Sequence, residues 1–446
     1  MPHPKERSDV QIRRERAVLA AVHLPDSRFD ERDPLGELRA LAETAGASVV
    51  GELIQNRTRP ESGTYIGSGK LDELRAMCDE LDAGVIVFDH ELSPKQIANI
   101  ERATERKVLD RSELILDIFA SRATTRQAKI AVELAQLEYT YPRLVAMWSH
   151  LERIVGVGGI AGVGTRGPGE QQIEIDRRIV QRKKTQLRRE LEEIQDRKRR
   201  EVLERNRDHL TVGLVGYTNA GKSTLFNALT AGGAFVQDQV FATLMTRTRG
   251  WDVGGGEEVM LSDTVGFIRD LPHHLIASFR ATLEEATHAD ALIVVVDVSD
   301  PAAELHFETV QGTLDTLLGE RREREGDGWA PPERVVLLNK IDALRDNAEV
   351  LVWERRVPGS IAISARDAGH PGFAELAERV RRIARGEVHE RSLRLPMSEG
   401  KHISTIERRA EVLDRRYDNG SVVLRARIGD RQLARLRAAG ARMEVT

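Results

Sequence analysis

A chain of 446 residues is too long for one core, and at roughly 100–200 residues per domain it implies three or four. With 40% apolar and 31% charged residues it has the composition of a globular protein that stays in water, and its net charge of −4 is too small to name a partner by itself. The single cysteine, Cys78, excludes an internal disulfide and a cysteine-bound metal cluster, which suits a cytoplasmic location, and no apolar run approaches the roughly 20 residues of a membrane span.

The basic lead and short apolar tail of "MPHPKERSDVQIRRERAVLAAVHL" imitate an export signal but lack a small-residue cleavage site, so the run reads as a first strand. Up to about Ser112, β-branched runs alternate with helical stretches: "RAVLAAVHL", "ASVVGELI", a helix from Lys70, "GVIVFD", a helix from Ser93, then "KVLDRSEL". This alternation predicts a small, mostly parallel sheet. From Ala123 to His150, Ile130, Leu134, Leu137, Leu144 and Trp148 fall at helical spacing, with Pro142 expected to kink or divide the helix. The glycine-rich "GVGGIAGVGTRGPGEQQ" follows, and after it a Lys/Arg/Glu-rich stretch from Ile173 to Asp208 free of Gly and Pro, a helix on the order of 50 Å at ~1.5 Å per residue. The middle of the chain is thus expected to be a helical hairpin with a glycine-rich tip. Strands and helices alternate again from about His209 to Gly386, and "RAEVLDRRYDNGSVVLRARI" reads as a β-hairpin turning at Asp418–Gly420, followed by a short basic helix. The expected division is an α/β multidomain chain: a small α/β domain (1–118), the hairpin (119–207), a domain with a mostly parallel sheet and helices on both faces (208–388), and a small α+β domain (389–446).

"GYTNAGKST" fits G-x-x-x-x-G-K-[ST] between a strand and a helix. Gly216, Tyr217, Thr218, Asn219, Ala220, Gly221, Lys222, Ser223 and Thr224 therefore form a P-loop cradle. Its backbone amides face an anion, Lys222 reaches the β and γ phosphates, and Ser223 holds Mg²⁺. The G-x-G-x-x-G match at Gly162–Gly167 lies between two helices, and "GSGK" at Gly67–Lys70 lacks the earlier glycine, so neither reads as a second nucleotide site. "LSDTVGF" ends a strand with Asp263, directed at Mg²⁺ through water, then Thr264, Val265 and Gly266, whose amide can reach a γ-phosphate. "NKID" supplies Asn339, Lys340, Ile341 and Asp342. The Asp342 carboxylate can take two hydrogen bonds from guanine that adenine does not offer, so GTP is expected over ATP. Ser364, Ala365 and Arg366 are expected to hold the base through the backbone. The catalytic set is then Lys222, Thr243 and Gly266.

The switch segment Phe241, Ala242, Thr243, Leu244 and Met245 is expected at the γ-phosphate, with Thr243 ligating Mg²⁺ and Thr246 and Thr248 as alternatives to it. A plain strand threonine is the competing reading. Phe267 stands where many switch GTPases carry a glutamine that orients water, which predicts slow intrinsic hydrolysis assisted by a partner or an ion. Asn219 is suited to carry an oxygen to K⁺, or simply to cap the loop.

The motifs "YIGSGKLDEL", "FDHELSPKQ", "DRSELILDIFASRA", "VELAQLEYTYPRL", "GTRGPGEQQIEIDRR", "GYTNAGKSTLFN", "FATL", "DTVGFIRDLP" and "LRLP" resemble those of the HflX family of translation-associated GTPases over nearly the whole chain. The resemblance implies a cytoplasmic GTPase that binds the large ribosomal subunit, with its hairpin tip near the peptidyl-transferase centre, and splits stalled ribosomes. It also implies that Ser223 and Thr243 ligate Mg²⁺. Three departures stand out: "FATLMTRTR" for the usual "FATLDPTTR", "GPGEQQ" for "GPGETQ", and His90 where an acid is common. The charge pattern points independently to RNA, because Arg166, Arg177, Arg178, Arg182, Lys183, Lys184, Arg188 and Arg189 form a basic stretch beside the tip. A salt-bridged solvated helix is the alternative, since acids follow from Glu190. The chain is expected to act as a monomer. A nucleotide-gated binding module with negligible turnover, and an RNA-remodelling ATPase built on the first domain, are the competing functions.

Overall fold

The computed structural model describes residues 15–155, 168–230, 247–269, 288–326 and 329–446, and these described residues fall into two units that meet between residues 195 and 196 of the sequence. In the first unit β1 (Arg16–His23), α1 (Gly36–Thr44), β2 (Ser48–Asn56), α2 (Ser68–Glu80), β3 (Val85–Phe88), α3 (Pro94–Thr104), β4 (Lys107–Asp110) and α4 (Arg111–Arg122) alternate. All four strands are parallel in the order β2-β1-β3-β4. Ala17–Val22 are buried without interruption, as in a strand covered on both faces. Strand β4 stops at Asp110, earlier than "KVLDRSEL" suggested, because Asp110 caps α4 by accepting the Glu113 amide. The boundary drawn after residue 118 falls inside that helix. His90 is absorbed structurally, its Nε2 accepting the Val22 amide at 3.1 Å.

Helix α5 (Arg126–Val155) runs through position 142 without dividing, so of the kink or division expected from Pro142 the division is not found. Side-chain contacts flank that position. Asp110, fully buried, accepts from the Tyr139 hydroxyl at 2.6 Å and from Arg143 at 2.7 Å, and Arg143 also donates to the Leu92 carbonyl. Helix α6 (Pro168–Asp208) is 41 residues long, about 60 Å at 1.5 Å per residue. It begins five residues before Ile173, taking "PGEQQ" from the expected loop, with proline in the first turn where its missing N–H costs nothing. The two helices pair antiparallel: Glu133 with Lys183, Glu138 with Lys184 and Arg188, and Arg126 with Glu190 at 3.3 Å. Leu187 and Leu191 are buried along this seam.

The second unit carries β5 (Leu210–Gly216), α7 (Lys222–Leu229), β6 (Arg247–Gly254), β7 (Glu257–Asp263), β8 (Ala291–Asp297), α8 (Ala303–Glu325), β9 (Glu333–Asn339), α9 (Ala348–Arg356), β10 (Ile361–Ala362) and α10 (Gly372–Arg385). The sheet order is β10-β9-β8-β5-β7-β6, parallel except for β6, an antiparallel edge strand that the sequence reading did not separate from the switch segment. A second sheet follows, built from β11 (Val388–Pro396), α11 (Gly400–Arg409), β12 (Glu411–Asp418), β13 (Ser421–Gly429), α12 (Asp430–Ala438) and β14 (Glu444–Val445), in the order β12-β13-β11-β14. Its hairpin turns at Asn419 and Gly420 as the sequence predicts, both at positive φ. Arg431 and Arg435 on α12 donate to the Ile383 and Ala384 carbonyls at the end of α10, and Gln432 donates to buried Glu257, so the C-terminal sheet is fixed to the sheet before it. Among the described residues no helix is long and apolar enough to cross a membrane.

Candidate active site

Strands β5, β7, β8 and β9 are parallel, so their C-terminal ends, Gly216, Asp263, Asp297 and Asn339, emerge along one edge of the sheet. Doubly wound folds collect ligands at this edge. From Gly216 the chain turns into α7, whose first amides have no partner within the helix and so favour an anion. Asn219 (φ 61°) is exposed in that turn, and Gly221 (φ 92°) ends it. Only glycine fits at 221, where a Cβ would lie 2.2 Å from Asn339 Nδ2.

Lys222 is buried, its Nζ donating to the carbonyls of Gly216 (3.1 Å) and Tyr217 (2.6 Å). Burial pushes its ammonium down to about 8, opposed by the carboxylate of Asp263. Such an ammonium gains from any further anion beside it. Ser223 Oγ donates to Asp263 Oδ2 at 2.8 Å, and Asp263 is 1% exposed. A hydroxyl and a carboxylate meeting in this way form an oxygen donor set that fits Mg²⁺. Thr264, also buried, donates to the Leu214 carbonyl at 2.6 Å and so ties the following residues to the end of β5. Val265 and Phe267 are buried too. The Phe267 amide donates to Gly216 O (3.0 Å) and its carbonyl accepts the Thr218 amide (2.8 Å), so residues 264–267 lie along the cradle as a short parallel ladder.

On the base side Asn339, 1% exposed, donates to the Ala220 carbonyl (2.8 Å) and accepts the Ala365 amide (3.0 Å), joining the cradle to the loop after β10. Lys340 takes a left-handed turn (φ 63°) and pairs with Asp297 at 2.7 Å, while Asp342 is exposed on a short 3-10 turn, Ile341–Ala343. Ser364 and Ala365 are buried and Arg366 is exposed. The Ser364 hydroxyl has no hydrogen-bond partner among the described residues.

The structure thus brings together Gly216–Thr224, Asp263–Gly266, Asn339–Asp342 and Ser364–Arg366. Phe241, Ala242, Thr243, Leu244, Met245, Thr246 and Arg166 lie outside the described residues. Thr248 is corrected: it sits in β6 with its hydroxyl 3.0 Å from Ser262 Oγ, which is the plain strand threonine of the competing reading. The sequence reading missed Asp297, although a carboxylate ending the strand "ALIVVVD" repeats the pattern that singled out Asp263. It also missed His306, which stacks on Tyr217 with ring centroids 3.7 Å apart. Nothing local in "AELHFETV" marks that histidine.

Residues 32–120 match the family model described as GTP-binding GTPase N-terminal, residues 122–207 the GTP-binding GTPase Middle Region, and residues 211–340 the 50S ribosome-binding GTPase. A GTPase HflX of Lacrimispora saccharolytica is 41% identical over 425 residues, covering 95% of each chain. The protein belongs to the HflX GTPase family. The GTPase HflX of Escherichia coli is 40% identical over 422 residues, covering 93% of each chain, and that of Caldanaerobacter subterraneus 37% identical over 416 residues, covering 93% of this chain and 91% of the relative. As an HflX GTPase the protein binds guanine nucleotide and hydrolyses GTP, with an α/β P-loop domain behind the N-terminal HflX domains. Two of the motifs that carry the resemblance meet in the structure: Tyr139 and Arg143 of "VELAQLEYTYPRL" bond Asp110 of "DRSELILDIF".

Proposed function

We propose that this HflX GTPase binds the large ribosomal subunit through the α5–α6 hairpin and dissociates stalled or stressed ribosomes in the cytoplasm, under control of its nucleotide. The observation that carries the nucleotide half is Asn339, which ties the phosphate cradle at Ala220 to the loop at Ala365, so that phosphate and base recognition share one rigid support. In this reading Lys222 and the amides of Gly216–Thr224 hold the phosphates. Ser223, Asp263 and Thr243 would hold Mg²⁺, which when bound neutralises charge building on the phosphate oxygens. Asp342 accepts from guanine, Ala365 and its neighbours flank the base, and the Gly266 amide turns to the γ-phosphate. Phe267, buried and lacking any group to orient water, leaves intrinsic hydrolysis slow and the ribosome as its stimulator. K⁺ at Asn219 is the other candidate aid, and equal turnover in K⁺ and Na⁺ would remove it.

For the ribosome half, the structure sorts the basic stretch of α6. Lys183, Lys184 and Arg188 pair within the hairpin, and Arg177, Arg178 and Arg182 are solvent-exposed on α6. With Arg166 these are the residues proposed to meet rRNA phosphates. Sedimentation of ribosomes with the protein and GTP, GDP or a non-hydrolysable analogue tests the proposal together with phosphate release. Free subunits accumulating with GTP or its analogue, and release stimulated by large subunits, are expected. Intact ribosomes under every nucleotide would refute splitting.

A further inference from the structure

We propose that Asp297 is a positioning residue for guanine recognition: it holds the Lys340 ammonium away from Asp342 and so keeps the Asp342 carboxylate free to accept from the base. This rests on the guanine-nucleotide reading above. The segment "NKID" sets a cation two residues before the carboxylate that is to read the base. An ammonium without another partner would pair with that carboxylate and occupy the oxygens that guanine needs. In the structure the lysine is engaged elsewhere. Its Nζ lies 2.7 Å from Asp297 Oδ2, and both side chains are largely buried, Lys340 26% and Asp297 14% exposed. Asp342 is exposed and holds no hydrogen bond or ion pair among the described residues.

Backbone and side chains both commit Lys340 to this partner. Asp297 ends β8 directly opposite Asn339, the last residue of β9, so the residue after Asn339 starts beside it. Lys340 then adopts φ 63° and ψ 31°, the left-handed region that is costly for any residue but glycine. Strained backbone of this kind persists where its surroundings over-determine it. Here they are the ion pair and the Val298 amide, which donates to the Asn339 carbonyl at 3.1 Å. The Asp297 carboxylate is fixed from its other side, because Oδ1 accepts from the amide of Ser299 at 3.0 Å and from its hydroxyl at 2.6 Å. One oxygen is thus anchored to the loop after β8 while the other faces the lysine. Without the negative charge at 297, the carboxylate nearest to Lys340 along the chain is Asp342. Guanine would then have to displace the ammonium before it could be read, a demand that adenine, which offers Asp342 no pair of donors, does not meet.

The test compares dissociation constants of GDP and ADP for the full chain, by competition against a fluorescent nucleotide at low salt. Asp297→Asn keeps the shape of the side chain and an oxygen for Ser299 but removes the charge. The preference for GDP over ADP should fall about two- to fivefold, the worth of an exposed ion pair that guanine must now break. Adding Lys340→Met to Asp297→Asn removes the competing ammonium and should restore the preference. Lys340→Met alone should leave it undiminished. A merely structural role for Asp297 would weaken both nucleotides together. An unchanged preference in Asp297→Asn, one that Lys340→Met does not restore, or a loss in Lys340→Met alone therefore overturns the proposal. Failure of the wild-type protein to prefer GDP to ADP overturns the guanine-nucleotide reading itself.

Discussion

Asn339 shows how much one side chain can carry. Its amide spans two loops from a position with almost no solvent, so Asn339→Ala strands a buried carbonyl at 220 and a buried amide at 365. Each unsatisfied group costs about 1–3 kcal/mol. The expected result is a lower melting temperature together with at least a tenfold loss of GDP affinity, read by differential scanning calorimetry and fluorescent-nucleotide titration. Asp342→Asn asks a different question, because the carboxylate is exposed and holds no hydrogen bond or ion pair among the described residues. An amide there offers one acceptor and one donor, which matches the N1–H and 2-oxo groups of xanthine better than guanine. GDP affinity should fall by on the order of 10² and xanthosine diphosphate should compete in its place; undiminished GDP binding would place base recognition elsewhere. Cys78 is the contrasting residue, a buried thiol whose surroundings push its pKa up. Since the thiolate is the reactive form, a thiol reagent should label the native protein slowly and the denatured protein quickly. Equal rates would contradict the packing of α2.

At the scale of elements, the clearest case is α5, which continues through a proline that could have ended it. The contacts of Tyr139 and Arg143 with Asp110 bracket position 142. Burial beside Asp110 pushes the Tyr139 hydroxyl pKa far up, keeping it a donor. Arg143→Ala removes the cation from a fully buried carboxylate, a class of change that costs about 3–5 kcal/mol. The two amides and the tyrosine still bonded to Asp110 place the expectation at the low end, measured as loss of denaturant midpoint. The same cluster explains what could be read beforehand and what could not. Strands such as Ala17–Val22 announce themselves because every residue is apolar, and α3 because Ser93, Pro94 and Gln96 spell out its start. The cradle was legible because its glycines are demanded by neighbours only ångströms away. Strand β6 was not, since it opens on Arg247, Thr248 and Arg249 and sets its two buried residues, Trp251 and Val253, between Gly250, Asp252 and Gly254, and so looks like the loop before it. The contacts that flank Pro142 in α5 reach Asp110, 32 residues upstream of the proline by sequence number, and no local pattern carries that.

The whole molecule poses a problem of charge, because a chain with a net charge of −4 is proposed to bind a polyanion. Attraction must then come from a local surface. The hairpin qualifies because Arg177, Arg178 and Arg182 are solvent-exposed on α6, with the exposed side chain of Ile179 among them. Surface pairs such as Lys183 with Glu133 contribute little to stability, but they keep those lysines from dominating the field. Binding through a few phosphate contacts releases counterions, so affinity should fall with salt at a slope of roughly 0.7–0.9 per contact. Reversing Arg177 and Arg178 to glutamate should therefore weaken binding to large subunits and flatten that slope by about 1.4–1.8, while the cradle, in the other unit, still takes up GDP. Titrating binding against salt for both proteins separates the outcomes. A weaker affinity with an unchanged slope would mean that the two arginines act through shape and not charge, and unchanged affinity would remove this face of α6 from the ribosome interface.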